Sequence, residues 1–336
     1  MRTPWEGLAW SVLVTAALSG ACSGTGQPPG GIPGDGGVGE LGTVVSAVNV
    51  TCDATAPAGA TCMTLMVRCP SIEDLQATVA LSEPAGTATG TLFMHAGGGG
   101  TAFYTGAYSR YLAAGLRTVQ VRWASAWEQS TNASMGILAA ACRPATVMKW
   151  AFDTPHGGAR TKAFCAVGHS GGSGVISYSL AHYGMGEYLD YASLSAGPPF
   201  GRIDYGCAPQ TYSGTAKTLC PELADAPTAL PPSVMNPWEH TTTCGASSPP
   251  ASDIARWAAD SVVSPAASYD YPNTVVTFWD CAVNPNGTTG GAYFYSKEIV
   301  STKQVTCFTA CSGESLGTAG QAAQADDLLA RCIPRH

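Results

Sequence analysis

Short apolar, β-branched runs alternate along the chain with stretches of helical period, and glycine, proline or aspartate marks most of the changes. Val44–Val50 and Thr64–Val67 read as strands, with Cys52 and Cys62 flanking the hairpin between them. Ala77–Leu81 and Gly90–Met94 follow as strands, separated by the turn Glu83-Pro84-Ala85-Gly86. Tyr108–Ala114 reads as a helix closed by Gly115. Arg117–Trp123 is the next strand. Pro144–Phe152 is a helix with its proline at the tolerated first position. Ala163–Val167 is a fully apolar strand, and Gly174–Tyr183 is the helix after it. Leu189–Leu194, Thr274–Trp279 and Gln304–Phe308 read as strands, and Ala319–Arg331 as the last helix. Residues 200–265 break the alternation. They hold Cys207, Cys220, Cys244 and many prolines, and read as a disulfide-tied cap insertion. The pattern predicts an α/β fold: a mostly parallel sheet with helices on both faces and an antiparallel hairpin at its start.

Chemistry enters between the apolar strand and its helix. Gly168-His169-Ser170-Gly171-Gly172 is a G-x-S-x-G match, and strand, sharp turn and helix are the context that motif needs. Such a turn lifts the Ser170 hydroxyl above the sheet edge. About 70 residues earlier, the Gly90–Met94 strand runs into His95-Ala96-Gly97-Gly98-Gly99. A tetrahedral intermediate carries an oxyanion, and backbone N–H groups must reach it without side chains in the way. Gly97 and Gly98 permit that, and the N–H of Gly171 completes the set.

The N-terminus and the cysteines concern location. Residues 1–21 read as a removable leader. Leu8 to Ala21 is apolar but too short to span a bilayer with margin. Leu18-Ser19-Gly20-Ala21-Cys22 resembles a bacterial lipoprotein processing site, with Cys22 the lipidated mature N-terminus; an ordinary signal peptide cleaved after a small residue is the alternative. Residues 22–43 read as a tether, because Ser23 to Gly42 holds nine glycines and three prolines. The body is then 44–336. Of thirteen cysteines, twelve remain once Cys22 is set aside, enough for six disulfides in an oxidising compartment. No cysteine spacing suits zinc, and neither a metal nor a cofactor is expected. Charged residues are 12% of the chain, the net charge is −7 and no basic run occurs, which excludes nucleic acid as a partner. The expected partners are a small ester or acyl substrate and, through Cys22, a membrane of the cell envelope.

The glycine loop and the Gly168–Gly172 elbow together resemble the α/β-hydrolase superfamily, over roughly residues 45–332, and most of all its secreted, disulfide-rich bacterial members. The resemblance implies an eight-stranded sheet, a chain order of serine, acid, histidine, and acyl transfer. Carried over, Ser170 is the nucleophile, Gly171, Gly97 and Gly98 form the oxyanion hole, and Asp280, ending the Thr274–Trp279 strand, is the acid. Asp204 is the alternative acid. The histidine does not carry over. The loop after the last strand, Ala310 to Gly317, contains none, and Glu314 stands at roughly its place.

Six histidines were available to replace it. His156 and His336 fall at the wrong edge of the sheet. His182 lies about 18 Å down its helix at 1.5 Å per residue. His95 braces the glycine loop, and the family does not use the position of His169 as a base. His240, in the insertion, is the one placed to reach Ser170. The base is therefore Glu314 or His240, or there is none. A serine hydrolase of esters, an impaired one that binds a ligand in the old pocket, and a structural surface lipoprotein all remain open. Trp123 and Trp127, with Tyr104, are expected to form an apolar acyl pocket at the strand ends.

Overall fold

The central apolar runs become strands covered on both faces, while the strands at the two edges of the sheet stay exposed. A computed structural model describes residues 39–132, 135–208, 211, 215–216, 219–220, 226–227, 243–283 and 287–332. The strands of the main sheet are β1 (Thr43–Val50), β2 (Thr61–Arg68), β3 (Leu75–Ser82), β4 (Gly90–His95), β5 (Leu116–Trp123), β6 (Ala163–His169), β7 (Tyr191–Ser195), β10 (Val275–Cys281) and β11 (Lys303–Phe308). A separate small pair is formed by β8 (Thr215–Ala216) and β9 (Ala226–Pro227). The large sheet runs β1-β2-β3-β5-β4-β6-β7-β10-β11. From β5 to β11 all neighbours are parallel, and β1, β2 and β3 join antiparallel. This is the α/β-hydrolase arrangement, with nine strands instead of the implied eight and β1 as the extra outer one.

Residue alternation divides the core in two. From β6, Phe164 and Ala166 join the core beneath α3 (Cys142–Asp153) and α4 (Gly171–Tyr183). Ala163, Cys165 and Val167 join the opposite core, with Tyr111 of α1 (Tyr108–Ala113) and Leu328 of α8 (Gly317–Arg331). Every residue of α4 is buried, and a helix enclosed all round needs no polar face. It begins at Gly171, three residues before the predicted start, because the turn at Ser170 leads straight into it.

The helices that escape the sequence pattern fall in three places. The first, α2 (Ile137–Ala140), is a single turn whose free N–H groups at Ile137 and Leu138 donate to the Asp260 carboxylate, each at 2.7 Å. The second, α6 (Ala251–Asp260), lies inside the stretch read as the insertion, yet its Trp257 is fully buried in the main core. At the other end of that stretch, α5 (Ile203–Cys207) also packs into this core through Ile203 and Cys207. The third, α7 (Gly287–Glu298), was hidden by its glycines. A side chain on Gly291 would strike the Pro198 carbonyl oxygen, so close packing rather than helix propensity chose that residue.

Six disulfides pair all twelve expected cysteines: Cys52–Cys62, Cys69–Cys142, Cys165–Cys332, Cys207–Cys244, Cys220–Cys307 and Cys281–Cys311. They mark a chain that matures in an oxidising compartment, as exported proteins do. Cys22 and most of the expected tether lie outside the described residues. The tether's last residues already belong to the body: Gly39 N–H donates to the His182 carbonyl at 2.5 Å and Gly42 N–H to Thr146 Oγ1 at 2.8 Å. Among the described residues no helix is long and apolar enough to cross a membrane.

Candidate active site

The site is assembled where β4, β6, β7 and β10 end. Ser170 leaves β6 with φ 50° and ψ −114°, then α4 begins. That backbone region is unfavourable for a residue with a Cβ, by about 1–3 kcal/mol, and persists only where the surroundings impose it. Here Ser170 N–H donates to the Ser195 carbonyl at 2.8 Å, and the Ser170 carbonyl accepts from Gly174 N–H at 3.1 Å. The elbow glycines serve close approach. A side chain on Gly168 would enter the backbone of Gly172, one on Gly171 would strike the Gly98 carbonyl oxygen, and one on Gly172 the His95 carbonyl oxygen. Elbow and glycine loop therefore interlock backbone to backbone. Gly171 opens α4, so its N–H has no acceptor within the helix. A methyl group on Gly97 would stand 3.4 Å from Ser170 Cβ, which puts bare backbone beside the serine. Gly98 follows at φ 56°.

The loop is held from behind. Trp123 N–H donates to the Gly100 carbonyl at 2.9 Å and Trp127 N–H to the Gly99 carbonyl at 3.1 Å. Trp123 Nε1–H donates to His95 Nε2 at 3.0 Å, and His95 Nδ1–H to the Ala96 carbonyl at 2.9 Å. Burial lowers the His95 pKa to about 4, so the ring is neutral and acts as a brace. This corrects the reading of Trp123 and Trp127 as pocket residues. Both are buried in the core on the α3 and α4 face, Trp127 edge-on to Tyr178 and Phe200 at 6.4 Å. The cavity beside the elbow opens on the other face. It measures about 320 Å³ and is lined by Tyr104, as expected, together with Phe103, Tyr111, His169, Ser195 and Gln324. Of these, Gln324 carried no sequence signal beyond the period of its helix.

On the acid side, Asp204 is excluded. It is buried and bound at both oxygens by Arg202, at 2.8 and 2.5 Å. Asp280 is different. Its Oδ1 accepts from Cys281 N–H at 2.9 Å and from Thr289 Oγ1–H at 3.2 Å, while its buried Oδ2 has no partner among the described residues. Burial first, and then the charge of Glu314, push its pKa up to about 6 against the pull of those two hydrogen bonds. Glu314 sits in a tight turn in which Ser312 and Ser315 exchange backbone hydrogen bonds at 3.1 and 3.0 Å, with Gly313 at φ 54°. The neighbouring Cys311 is bonded to Cys281, directly after Asp280, so a disulfide brings the glutamate loop to the acid. The charge of Glu314 reaches His169 as well, opposing the burial that lowers that ring's pKa.

The other histidines are accounted for. His156 bridges Thr91 Oγ1 and the Ala159 carbonyl, at 3.0 and 2.9 Å, at the far end of β4. His182 bonds the Ser261 and Val262 carbonyls. His240 and His336 lie outside the described residues. Among the described residues no group of three His, Cys, Asp or Glu side chains is placed to hold a metal ion.

No protein-family model matches the chain, and no curated protein does either. Solved structures do resemble it. A bacterial heroin esterase is 14% identical with a TM-score of 0.48, over 82% of this chain and 84% of that one. Acetyl xylan esterase 1 from Thermoanaerobacterium is 11% identical at 0.46, over 85% and 87%. A dienelactone hydrolase from Anabaena variabilis is 12% identical at 0.40, over 82% and 99%. The fold class rests instead on this chain's own strand order, which is that of an α/β-hydrolase fold.

Proposed function

We propose that this chain is a serine ester hydrolase, carried to the cell envelope as a lipoprotein anchored through Cys22. The observation that carries the reading is Ser170 in its left-handed turn, locked against a bare glycine loop. A hydroxyl in that position has backbone donors on one side and a helix N-terminus beneath it. Ser170 Oγ attacks the ester carbonyl and gives up its proton to a base. The oxyanion is met by the N–H of Gly171 and those of Gly97 and Gly98. The proton then goes to the departing alcohol, and water releases the acyl group from Ser170. Glu314 is the base in this reading, with Asp280 beside it; His240 is the alternative. A carboxylate is a weak base unless its surroundings raise its pKa, so turnover of short aryl esters is expected to be slow.

A second reading has an observation of its own. Asp280 Oδ2, unpartnered among the described residues, fits a site that has lost its histidine and binds an ester or acyl ligand without turning it over. One experiment separates the two. The full-length protein and Ser170→Ala are incubated with a fluorophosphonate and with an aryl acetate. The hydrolase reading expects a covalent adduct on Ser170 and hydrolysis that falls by roughly 10³-fold or more in Ser170→Ala. Wild-type protein with neither leaves the binding reading. The same preparations, fractionated from cells beside Cys22→Ala, test the anchor: equal partition of wild type and variant into the soluble fraction would remove it.

A further inference from the structure

Burial holds the Tyr104 phenol up at about 12 and Tyr111 higher still, and keeps His169 below the ordinary imidazole range. Among the described residues, no lysine, arginine, aspartate or glutamate lines the cavity these residues share beside the elbow. Its wall is therefore uncharged at neutral pH. An anionic guest would lose its water, find no countercharge in that wall and meet the charge of Glu314, which reaches His169, whereas Phe103, Tyr104 and Tyr111 offer aromatic surface.

One polar atom of that wall is aimed and unused. Ser195 Oγ lies 3.2 Å from the Gly168 carbonyl oxygen and 3.1 Å from His169 Nδ1. A carbonyl only accepts, so the Ser195 hydroxyl donates to it and accepts in turn from His169 Nδ1–H; the tautomer is assigned from this network. His169 Nε2 then carries a bare lone pair and has no partner among the described residues. His95 and His156, by contrast, have both ring nitrogens engaged. The position is also defined. The methyl group that Gly97 lacks would stand 3.4 Å from His169 Cδ2 as well as from Ser170 Cβ, so imidazole and nucleophile flank one point. A group meeting that lone pair lies only a few bonds from a carbonyl held at Ser170.

We propose that this cavity receives the acyl part of the ester, that this part is uncharged and of ring size, and that His169 Nε2 accepts a hydrogen bond from a hydroxyl it carries near the carbonyl. The inference rests on the serine-hydrolase reading above. Esters of 2-hydroxy-2-arylacetic acids have this chemistry: a ring for the aromatic wall and a donor beside the carbonyl.

Three neutral methyl esters test it: mandelate, phenylacetate, which lacks the hydroxyl, and 2-methoxy-2-phenylacetate, which has the oxygen without the donor. In wild type, kcat/KM for the mandelate ester is expected to exceed both others by about tenfold, the scale of one well-made hydrogen bond. His169→Leu brings the three within about twofold. His169→Gln, whose Oε1 still accepts, restores part of the preference. Wild-type ratios within twofold, with hydrolysis of all three dependent on Ser170, would overturn the proposal and leave the hydrolase reading standing. If none is hydrolysed, the fluorophosphonate test above still judges the hydrolase reading, and calorimetric binding of the same esters to Ser170→Ala protein decides the cavity assignment. Tighter binding of the mandelate ester that is lost on His169→Leu supports the cavity assignment; equal or absent binding ends it.

Discussion

The serine side and the carboxylate side of the site stand along one sheet edge, and they are built differently. Around Ser170 the structure is made of backbone. Gly168, Gly171 and Gly172 each abut another peptide unit, the tryptophans hold the glycine loop by main-chain bonds, and His95 has both ring nitrogens satisfied. Around Asp280 it is made of cross-links. Cys281–Cys311 and Cys220–Cys307 bracket the acid, β11 is half exposed beside it, and one buried carboxylate oxygen has no partner among the described residues. The first arrangement has no room for a side chain at those three glycines, and the second, among the described residues, lacks a donor. In the hydrolase reading, the rigid half would hold the proposed nucleophile and oxyanion donors in a geometry set in advance. A half that, among the described residues, leaves a buried acid unpaired stores an electrostatic penalty, which protonation or a donor arriving at Oδ2 removes.

The largest effect should follow from adding one carbon to the rigid half. Gly172→Ala sets a methyl group against the His95 carbonyl oxygen, with no flexible side chain there to yield. The expected loss is about 3 kcal/mol of stability, the upper range for an overpacked site, together with loss of Ser170 labelling. Chemical denaturation checks it. A variant as stable as wild type would show that the two backbones are not locked.

The next effect has the opposite sign and lies in the other half. The folded-state pKa of Asp280 is raised from 3.8 to about 6. The folded protein therefore binds this proton more tightly than the unfolded chain, and stability falls as pH rises between those values. Asp280→Asn removes that fall. Its Oδ1 keeps both hydrogen bonds, and its amide is buried where Oδ2 was, which takes back part of the gain. The net expectation is a variant roughly 1–3 kcal/mol more stable than wild type at pH 8, with no advantage at pH 4. Thermal unfolding at the two pH values measures it. A less stable variant at pH 8 would mean that a cation already sits on Oδ2, and would sharpen the contrast into a case for His240.

The smallest effect asks whether Glu314 links the two halves. Its charge raises the pKa of both Asp280 and His169. Glu314→Gln is thus expected to lower both, one through loss of a like charge and the other through loss of an opposite one. NMR titration of the two side chains reads the pair of shifts. Movement of only one would detach Glu314 from the other half of the site.

What could be read in the sequence follows the same division. The elbow was legible because its requirement is local: a strand, a sharp turn, a helix and small residues at fixed offsets. The twelve cysteines were legible as a count, and their pairing was not, because partners 167 residues apart meet only in the fold. Trp123 and Trp127 were placed at the correct strand end but on the wrong face, since nearness to a strand's end does not say which side of the sheet a side chain takes. The helix α7 was hidden because the glycines that let it approach Pro198 argue against a helix in isolation. The loop bearing Glu314 was located by its order in the chain. Its approach to Asp280 depends on Cys281–Cys311, which no spacing rule reveals.

The Cys165–Cys332 bond joins the strand that carries Ser170 to the last helix. During synthesis, Cys52 and Cys62, ten residues apart, can pair early, whereas the elbow strand must wait until the C-terminus has been made and exported. Twelve free thiols admit roughly ten thousand complete pairings, so the correct set depends on repeated exchange in the receiving compartment. A chain stopped before residue 332 would reach that compartment with Cys165 unpaired, at the centre of the sheet. Production in a reducing cytosol is accordingly expected to give material in which the strand before Ser170 is not tied to the last helix, and the yield of correctly paired protein should track the supply of a disulfide isomerase.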